Sequence, residues 1–149
     1  MLEQCEIQCN LPSQQGGATT HMPRAKASMP HHPGSYALLS GRTDATTAVV
    51  FVHGFTGNSL TTWVDFHNLT DGPGGPWWAD CDLFFYDYES IYANVAVQAG
   101  RFRDFLKDVF PKPDRAQLGR FSKEAQKLYD LGEPIPMTDD YRRLVLVGH

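Results

Sequence analysis

At 149 residues, 42% hydrophobic and 20% charged, with a formal charge of -4, the chain has the length and composition of one globular domain that buries roughly two thirds of its unfolded surface. So mild an acidic balance leaves no basic surface for a phosphate backbone, which argues against nucleic acid as a partner. No run approaches the roughly 18 to 20 consecutive apolar residues that cross a bilayer, and Glu3, Gln4, Glu6 and Gln8 break the charged-then-apolar layout of a signal peptide, so no integral membrane segment and a cytoplasmic location are expected.

Residues 1 to 34 are rich in Gln, Pro, Gly, Thr and Met without apolar periodicity, and such a segment cannot bury enough surface to offset its ordering entropy. A disordered leader over 1–34 is expected, with Met22 and Met29 as alternative translation starts. The domain proper is expected over 35–149. Tyr36 to Leu39 reads as a short strand closed by Ser40-Gly41. Ala48 to Val52 is the clearest strand, a continuous β-branched and aromatic run of the kind buried on both faces of a parallel sheet. It is expected to be central.

Leu60 to Leu69 places Trp63, Phe66 and Leu69 at spacings of three, which suits a short helix. The stretch Asp71-Gly72-Pro73-Gly74-Gly75-Pro76 then forbids regular structure. Asp82 to Tyr86 is the next strand. From Tyr92 to Phe110 the residues Val95, Ala99, Phe102, Leu106 and Val109 recur at i+3 and i+4, and Pro111 ends the pattern. Leu118, Phe121, Ala125 and Leu128 repeat the spacing before Gly132 and Pro134, and Leu144 to Val147 is the last strand. Strands alternating with helices predict an α/β fold with a doubly wound, mostly parallel sheet.

Cys5, Cys9 and Cys81 make an odd count that fits a reducing compartment. No second Cys or His pair at finger-like spacing follows Cys5-x-x-x-Cys9, so no metal site is expected. The sequon Asn68-Leu69-Thr70 has no secretory signal to bring it to a glycosylating enzyme.

The chemistry concentrates at two strand ends. Ala48 to Val52 runs into His53-Gly54-Phe55-Thr56-Gly57, and Leu144 to Val147 runs into Gly148-His149. The run Val49-Val50-Phe51-Val52-His53-Gly54-Phe55-Thr56-Gly57-Asn58, with Trp63 after it, Phe85-Tyr86-Asp87-Tyr88 later and Gly148-His149 last, resembles the amino-terminal half of an α/β-hydrolase over residues 36 to 149. It looks most like the serine esterases of the lipase-like group. The resemblance implies that His53-Gly54-x-x-Gly57 is the oxyanion loop, with the Phe55 amide as one donor and Thr56 within the loop. It gives His53 a loop-supporting role, because the family's catalytic base follows the nucleophile in the chain.

By the same resemblance Gly148-His149 is the start of a Gly-His-Ser-x-Gly nucleophile elbow, with His149 shaping the pocket floor and the serine just beyond position 149. The chain is therefore expected to be the amino-terminal portion of a carboxylic-ester hydrolase, inactive by itself and needing no cofactor or metal. Its substrate when complete is expected to be a small-molecule or lipid ester. The portion is expected to self-associate through an exposed strand edge. The alternative is a non-catalytic pseudohydrolase or protein-interaction module. A Rossmann-like nucleotide binder is disfavoured, because the first clear strand leads into His-Gly-x-x-Gly and not a Gly-x-Gly-x-x-Gly turn. Asp87, at a strand end on the carboxyl edge, reads as a solvated or capping carboxylate, with a substrate-side role as the alternative, and Trp63, Trp77 and Trp78 read as core aromatics or as residues of loops that can roof a pocket.

Overall fold

Strand formation in this chain follows the alternation of side chains across two buried faces. In the computed structural model, which describes residues 24–63, 80–118 and 136–149, five strands form one sheet: β1 (Ala25–Ser28), β2 (Tyr36–Leu39), β3 (Thr47–Val52), β4 (Cys81–Tyr86) and β5 (Arg143–Gly148), in the order β1-β2-β4-β3-β5. The helices among the described residues are the single turn α1 (Ser59–Thr62), the long α2 (Val95–Val109) and a 3-10 turn at Arg115–Gln117. The architecture is α/β. Four expected strands, Tyr36 to Leu39, Ala48 to Val52, Asp82 to Tyr86 and Leu144 to Val147, coincide with β2 to β5 to within one residue at each end.

The sheet is mixed. β1 pairs antiparallel with β2, and β2 antiparallel with β4, whereas β4, β3 and β5 are parallel. The expected mostly parallel sheet is thus met only in its β4-β3-β5 part. A second difference concerns the leader expected over 1–34: Ala25–Ser28 is an ordered edge strand in register with Leu39 to Tyr36. Ala25 and Ala27 are small, so their alternation carries little hydrophobic signal, yet both are fully buried. The Arg24 guanidinium adds a 2.6 Å hydrogen bond to the Cys81 carbonyl. Residues 1–23, the Trp77-Trp78 loop, most of the Leu60 to Leu69 helix and nearly all of the Leu118 to Leu128 helix lie outside the described residues.

β3 and β4 have neighbours on both sides and carry side chains into both faces, which is why they read as continuous apolar runs. On one face Ala48, Val50, Phe84 and Tyr86 pack with Phe105 and Val109 of α2 and with Tyr141. On the other, Val49, Phe51, Leu83 and Phe85 pack with Tyr36 and Leu38. A ladder of rings crosses that second face, with Tyr36 stacked on Phe85 at 4.6 Å and Phe85 on Phe51 at 4.7 Å.

Asn94 caps α2 by accepting from the Ala96 and Val97 amides, and Lys107 sits in its last turn, where a cation suits the helix dipole. The packed stripe is Phe102, Phe105, Leu106 and Val109. Val95, expected on that stripe, is 82% exposed, and Ala99 is exposed too. The first two turns therefore do not rest on the sheet.

The entry to β5 is fixed by a buried carboxylate. Asp82, fully buried on β4, accepts from the Ser40 amide at 2.6 Å, the Ser40 hydroxyl at 2.8 Å and the Tyr141 phenol at 2.6 Å. Tyr141 is itself held by its amide to the Pro111 carbonyl at 2.7 Å, and the next two amides, of Arg142 and Arg143, both reach the Thr46 carbonyl. β5 consequently starts beside the start of β3, with Thr47 opposite Arg143.

Candidate functional site

Because β3 and β5 are parallel and in register up to the pair Val52 and Gly148, the two sequence motifs leave the sheet side by side at its carboxyl edge. Ligands of open α/β sheets gather at that edge. The His149 amide donates to the Val52 carbonyl at 3.2 Å. A Cβ on Gly54 would stand 2.5 Å from the His149 carbonyl oxygen, so only glycine allows this approach.

The loop after β3 folds as a turn in which the Gly57 amide donates to the Gly54 carbonyl at 3.1 Å. Thr56 adopts φ 64, a left-handed value that a β-branched residue rarely takes, and its amide is held by the Ser90 hydroxyl at 3.0 Å. Asn58 closes the loop by capping α1 through the Leu60 and Thr61 amides.

His53 is buried, with 1% of its surface exposed. Its ring stacks on Tyr88 at 4.3 Å, and the Tyr88 hydroxyl donates back to the His53 carbonyl at 3.0 Å. Nδ1 lies 3.0 Å from the Gly54 carbonyl oxygen, a contact that requires a proton on Nδ1. Nε2 faces the Tyr88 amide at 3.2 Å and the Asp87 carboxylate at 3.0 Å. The neutral ring accepts from Tyr88 and the charged ring donates to Asp87, and both forms keep the Nδ1 proton on Gly54.

The Gly54 carbonyl is thus gripped by two donors, His53 Nδ1 and the Gly57 amide. Across a trans peptide the following N-H points the opposite way. The Phe55 amide is accordingly turned away from His53, and among the described residues it has no acceptor. The Phe55 side chain is 73% exposed. A fixed, unpartnered N-H of this kind can donate to an oxygen that gains negative charge.

Asp87 belongs to the support of this loop. Its Oδ1 accepts from the Ser59 amide at 2.8 Å as well as facing His53, and its own amide is held by the Ser35 hydroxyl at 2.8 Å. Its carboxylate thus joins the first residue of α1 to the His53 ring, while Asn58 is the cap of that helix. Tyr88, already part of the Phe85-Tyr86-Asp87-Tyr88 run, and Ser90, which the sequence did not single out, also hold the loop. The only signal for Ser90 was its place just after a strand that ends at the carboxyl edge.

Trp63 packs edge-on against Phe51 at 5.1 Å and against His149 at 5.9 Å, so of the three tryptophans the described one does border the site. His149 is exposed. A Cβ on Gly148 would meet nothing within 4 Å among the described residues. The crowding falls one residue later, at the His149 carbonyl.

Among the described residues no serine hydroxyl bonds to a histidine ring, and no group of three His, Cys, Asp or Glu side chains is arranged to hold a metal ion. No helix of the described residues is long and apolar enough to cross a membrane. Comparison of the chain with protein-family models, curated proteins and solved structures gives no match. Fold and site together define a five-stranded mixed α/β sheet with a glycine-dependent junction of two loops at its carboxyl edge.

Proposed function

We propose that the chain is the amino-terminal portion of an α/β-hydrolase, a carboxylic-ester hydrolase acting through a serine acyl-enzyme when complete. The observation that carries this reading is the close approach of Gly54 to the His149 carbonyl oxygen, which sets the His-Gly-x-x-Gly loop beside the end of β5 at the carboxyl edge, where such a fold would keep its oxyanion loop and nucleophile. The outward Phe55 amide supports it further. Such enzymes take one oxyanion donor from the loop after a strand and another from the residue following the nucleophile.

In this proposal the residue after His149 is the serine. A histidine oriented by an acid, both later in the chain, takes the serine proton as the hydroxyl attacks the ester carbonyl. As the ester C–O bond breaks, the histidine hands that proton to the departing oxygen, which leaves as the alcohol, and water then hydrolyses the acyl-enzyme with the same histidine as base. This chain's own contribution is the Phe55 N-H, held outward by His53 and the Gly57 amide and worth roughly two to three powers of ten in rate. The substrate is an ester small enough, or flexible enough, to reach that amide past Phe55 and Trp63. The doubly wound sheet and a cytoplasmic setting belong to the proposal as well, and the parallel β4-β3-β5 unit supports the first of these.

Reading the gene past codon 149 tests it. Serine followed within two residues by glycine supports the enzyme. A residue that cannot act as a nucleophile turns the reading to a non-catalytic module on the same scaffold.

A further inference from the structure

The bare apolar side chains of this chain are gathered at one edge of its sheet. Among the described residues seven large hydrophobic side chains are exposed, and six of them, Phe55, Leu60, Ile91, Tyr92, Val95 and Val97, belong to the two segments that follow β3 and β4 at the carboxyl edge. The Thr56 amide, bonded to the Ser90 hydroxyl at 3.0 Å, holds the two segments together.

The same segments carry no charge. Residues 53–63 and 90–100 contain no Asp, Glu, Lys or Arg, in a chain that is 20% charged. Along α2 the residues from Val95 to Gly100 are uncharged, and Arg101, Arg103, Asp104, Lys107 and Asp108 follow them. Asp44, Asp80, Arg142 and Arg143 stand at the opposite edge, where the parallel strands begin. The molecule is therefore polarised from a charged amino edge to an uncharged, apolar carboxyl edge.

Single exposed apolar residues need no explanation, whereas a contiguous group of them marks an interaction surface. Phe55 and Tyr92, 73% and 90% exposed, leave on the order of 300 Å2 bare between them. The four aliphatic side chains take the apolar total to the upper end of the roughly 300 to 600 Å2 that the largest patch covers on an ordinary monomer. A standard interface takes about 800 Å2 from each partner, about two thirds of it apolar in homodimers. This face is large enough for one.

The charge pattern selects the occupant. A surface that lies in a lipid interface carries Lys and Arg beside its apolar side chains, and these two segments have neither. Protein interfaces instead lose charge at their centre and gain aromatic residues, as here with Phe55 and Tyr92. Two copies of a chain with a charge of -4 repel where acid meets acid, and an uncharged face lets them meet without that cost. We propose that this face docks a second copy of the chain, in a twofold pairing that covers Phe55, Tyr92 and Val95 of both. With no charge pair at its centre the contact falls at the weak, micromolar end of the range for its size. Dilute chain is then monomeric and leaves the Phe55 amide open, and the pairing does not depend on the hydrolase reading.

The test is sedimentation velocity of the 149-residue chain carrying Leu146→Lys, which removes pairing through the β5 edge. A single monomer–dimer equilibrium with a micromolar dissociation constant is expected. Tyr92→Lys and Val95→Lys change side chains that are 90% and 82% exposed, so each should leave the melting temperature unchanged and weaken the dimer about tenfold or more, the worth of a lost apolar anchor. Asp104→Asn, which makes the same change in net charge on the charged half of α2, should leave the dimer as it was. A chain that stays monomeric throughout the micromolar range, or a dimer equally strong in both lysine variants, would overturn the proposal. So would a monomer that floats with phosphatidylcholine vesicles, which would give the face to a lipid surface.

Discussion

The carbonyl oxygen of His149 occupies the place beside Gly54 where any other residue would put a Cβ, 2.5 Å away. Positions 95 residues apart in the chain thus share one van der Waals gap, and that gap ties the loop after β3 to the end of β5. Gly54→Ala should force the two apart and cost about 1–3 kcal/mol, as overpacking does. Gly148→Ala, whose Cβ meets nothing within 4 Å, is the control and should leave the thermal transition within a degree or two. Equal melting of the two variants would remove the close approach from the account.

His53 should carry its proton on Nδ1 whether neutral or charged, because the Gly54 carbonyl lies 3.0 Å from that nitrogen. Long-range 1H-15N correlation spectra of the ring report the tautomer directly. A neutral ring protonated at Nε2 would contradict the orientation given to the Phe55 amide. His53→Ala, which empties a buried site and leaves the Gly54 carbonyl and Tyr88 amide short of a partner, should cost on the order of 2–4 kcal/mol.

The buried Asp82 links β2, β4 and the approach to β5 through three hydrogen bonds. Tyr141→Phe removes one donor and should cost about 1–3 kcal/mol, while Asp82→Ala strands the Ser40 amide and the Tyr141 phenol at once and should cost more. Chemical denaturation measures both. If Tyr141→Phe were the worse of the two, the carboxylate would not be the centre of this junction.

Stability should fall in strong alkali. Burial pushes the Tyr36 phenol up to about 12 from its usual 10, and burial, followed by the charge of Asp82, pushes Tyr141 higher still. Both groups are protonated in either state below pH 10, so their contribution is complete there. Above pH 10 the unfolded chain releases these protons and the folded chain keeps them, which favours unfolding with each further step in pH. For Tyr36 the loss runs from pH 10 to about pH 12. Tyr36→Phe and Tyr141→Phe should each flatten the decline in melting temperature over that range; an unchanged slope in both would count against the burial of these phenols.

The outer edge of β5 should promote self-association, since Leu146 is 54% exposed on an edge strand. Leu146→Lys should shift the sedimentation profile toward monomer with little loss of stability. Unchanged association would place the contact elsewhere.

Much of the sheet was legible because β3, β4 and β5 are runs of β-branched and aromatic residues bounded by turn formers, and α2 carries a helical stripe ended by Pro111. The edge strand β1 was not, because Ala25 and Ala27 are buried by their partner strand and not by any marked hydrophobicity of their own. The mixed pairing of β2 was equally hidden, since four apolar residues read alike in either direction. At the site, the loop residues His53 to Gly57 announced themselves by type and spacing. The way they are held did not: Tyr88, although part of a quoted run, and Ser90 reach the loop from across the sheet edge, and contacts between distant segments leave no local pattern. Val95 misled for the opposite reason, having the right periodicity in a turn that the sheet does not reach.

The central claim is that the chain's two edge loops form part of a serine acyl-transfer site. It is tested most directly by expressing the gene through the sequence that follows His149 and treating the product, beside the 149-residue chain, with a fluorophosphonate probe. Stoichiometric labelling of the residue immediately after His149, none on the 149-residue chain, and labelling slowed in a Gly54→Ala variant are the results expected; an extended product that stays unlabelled, or label found on a serine within residues 1–149, would contradict the account.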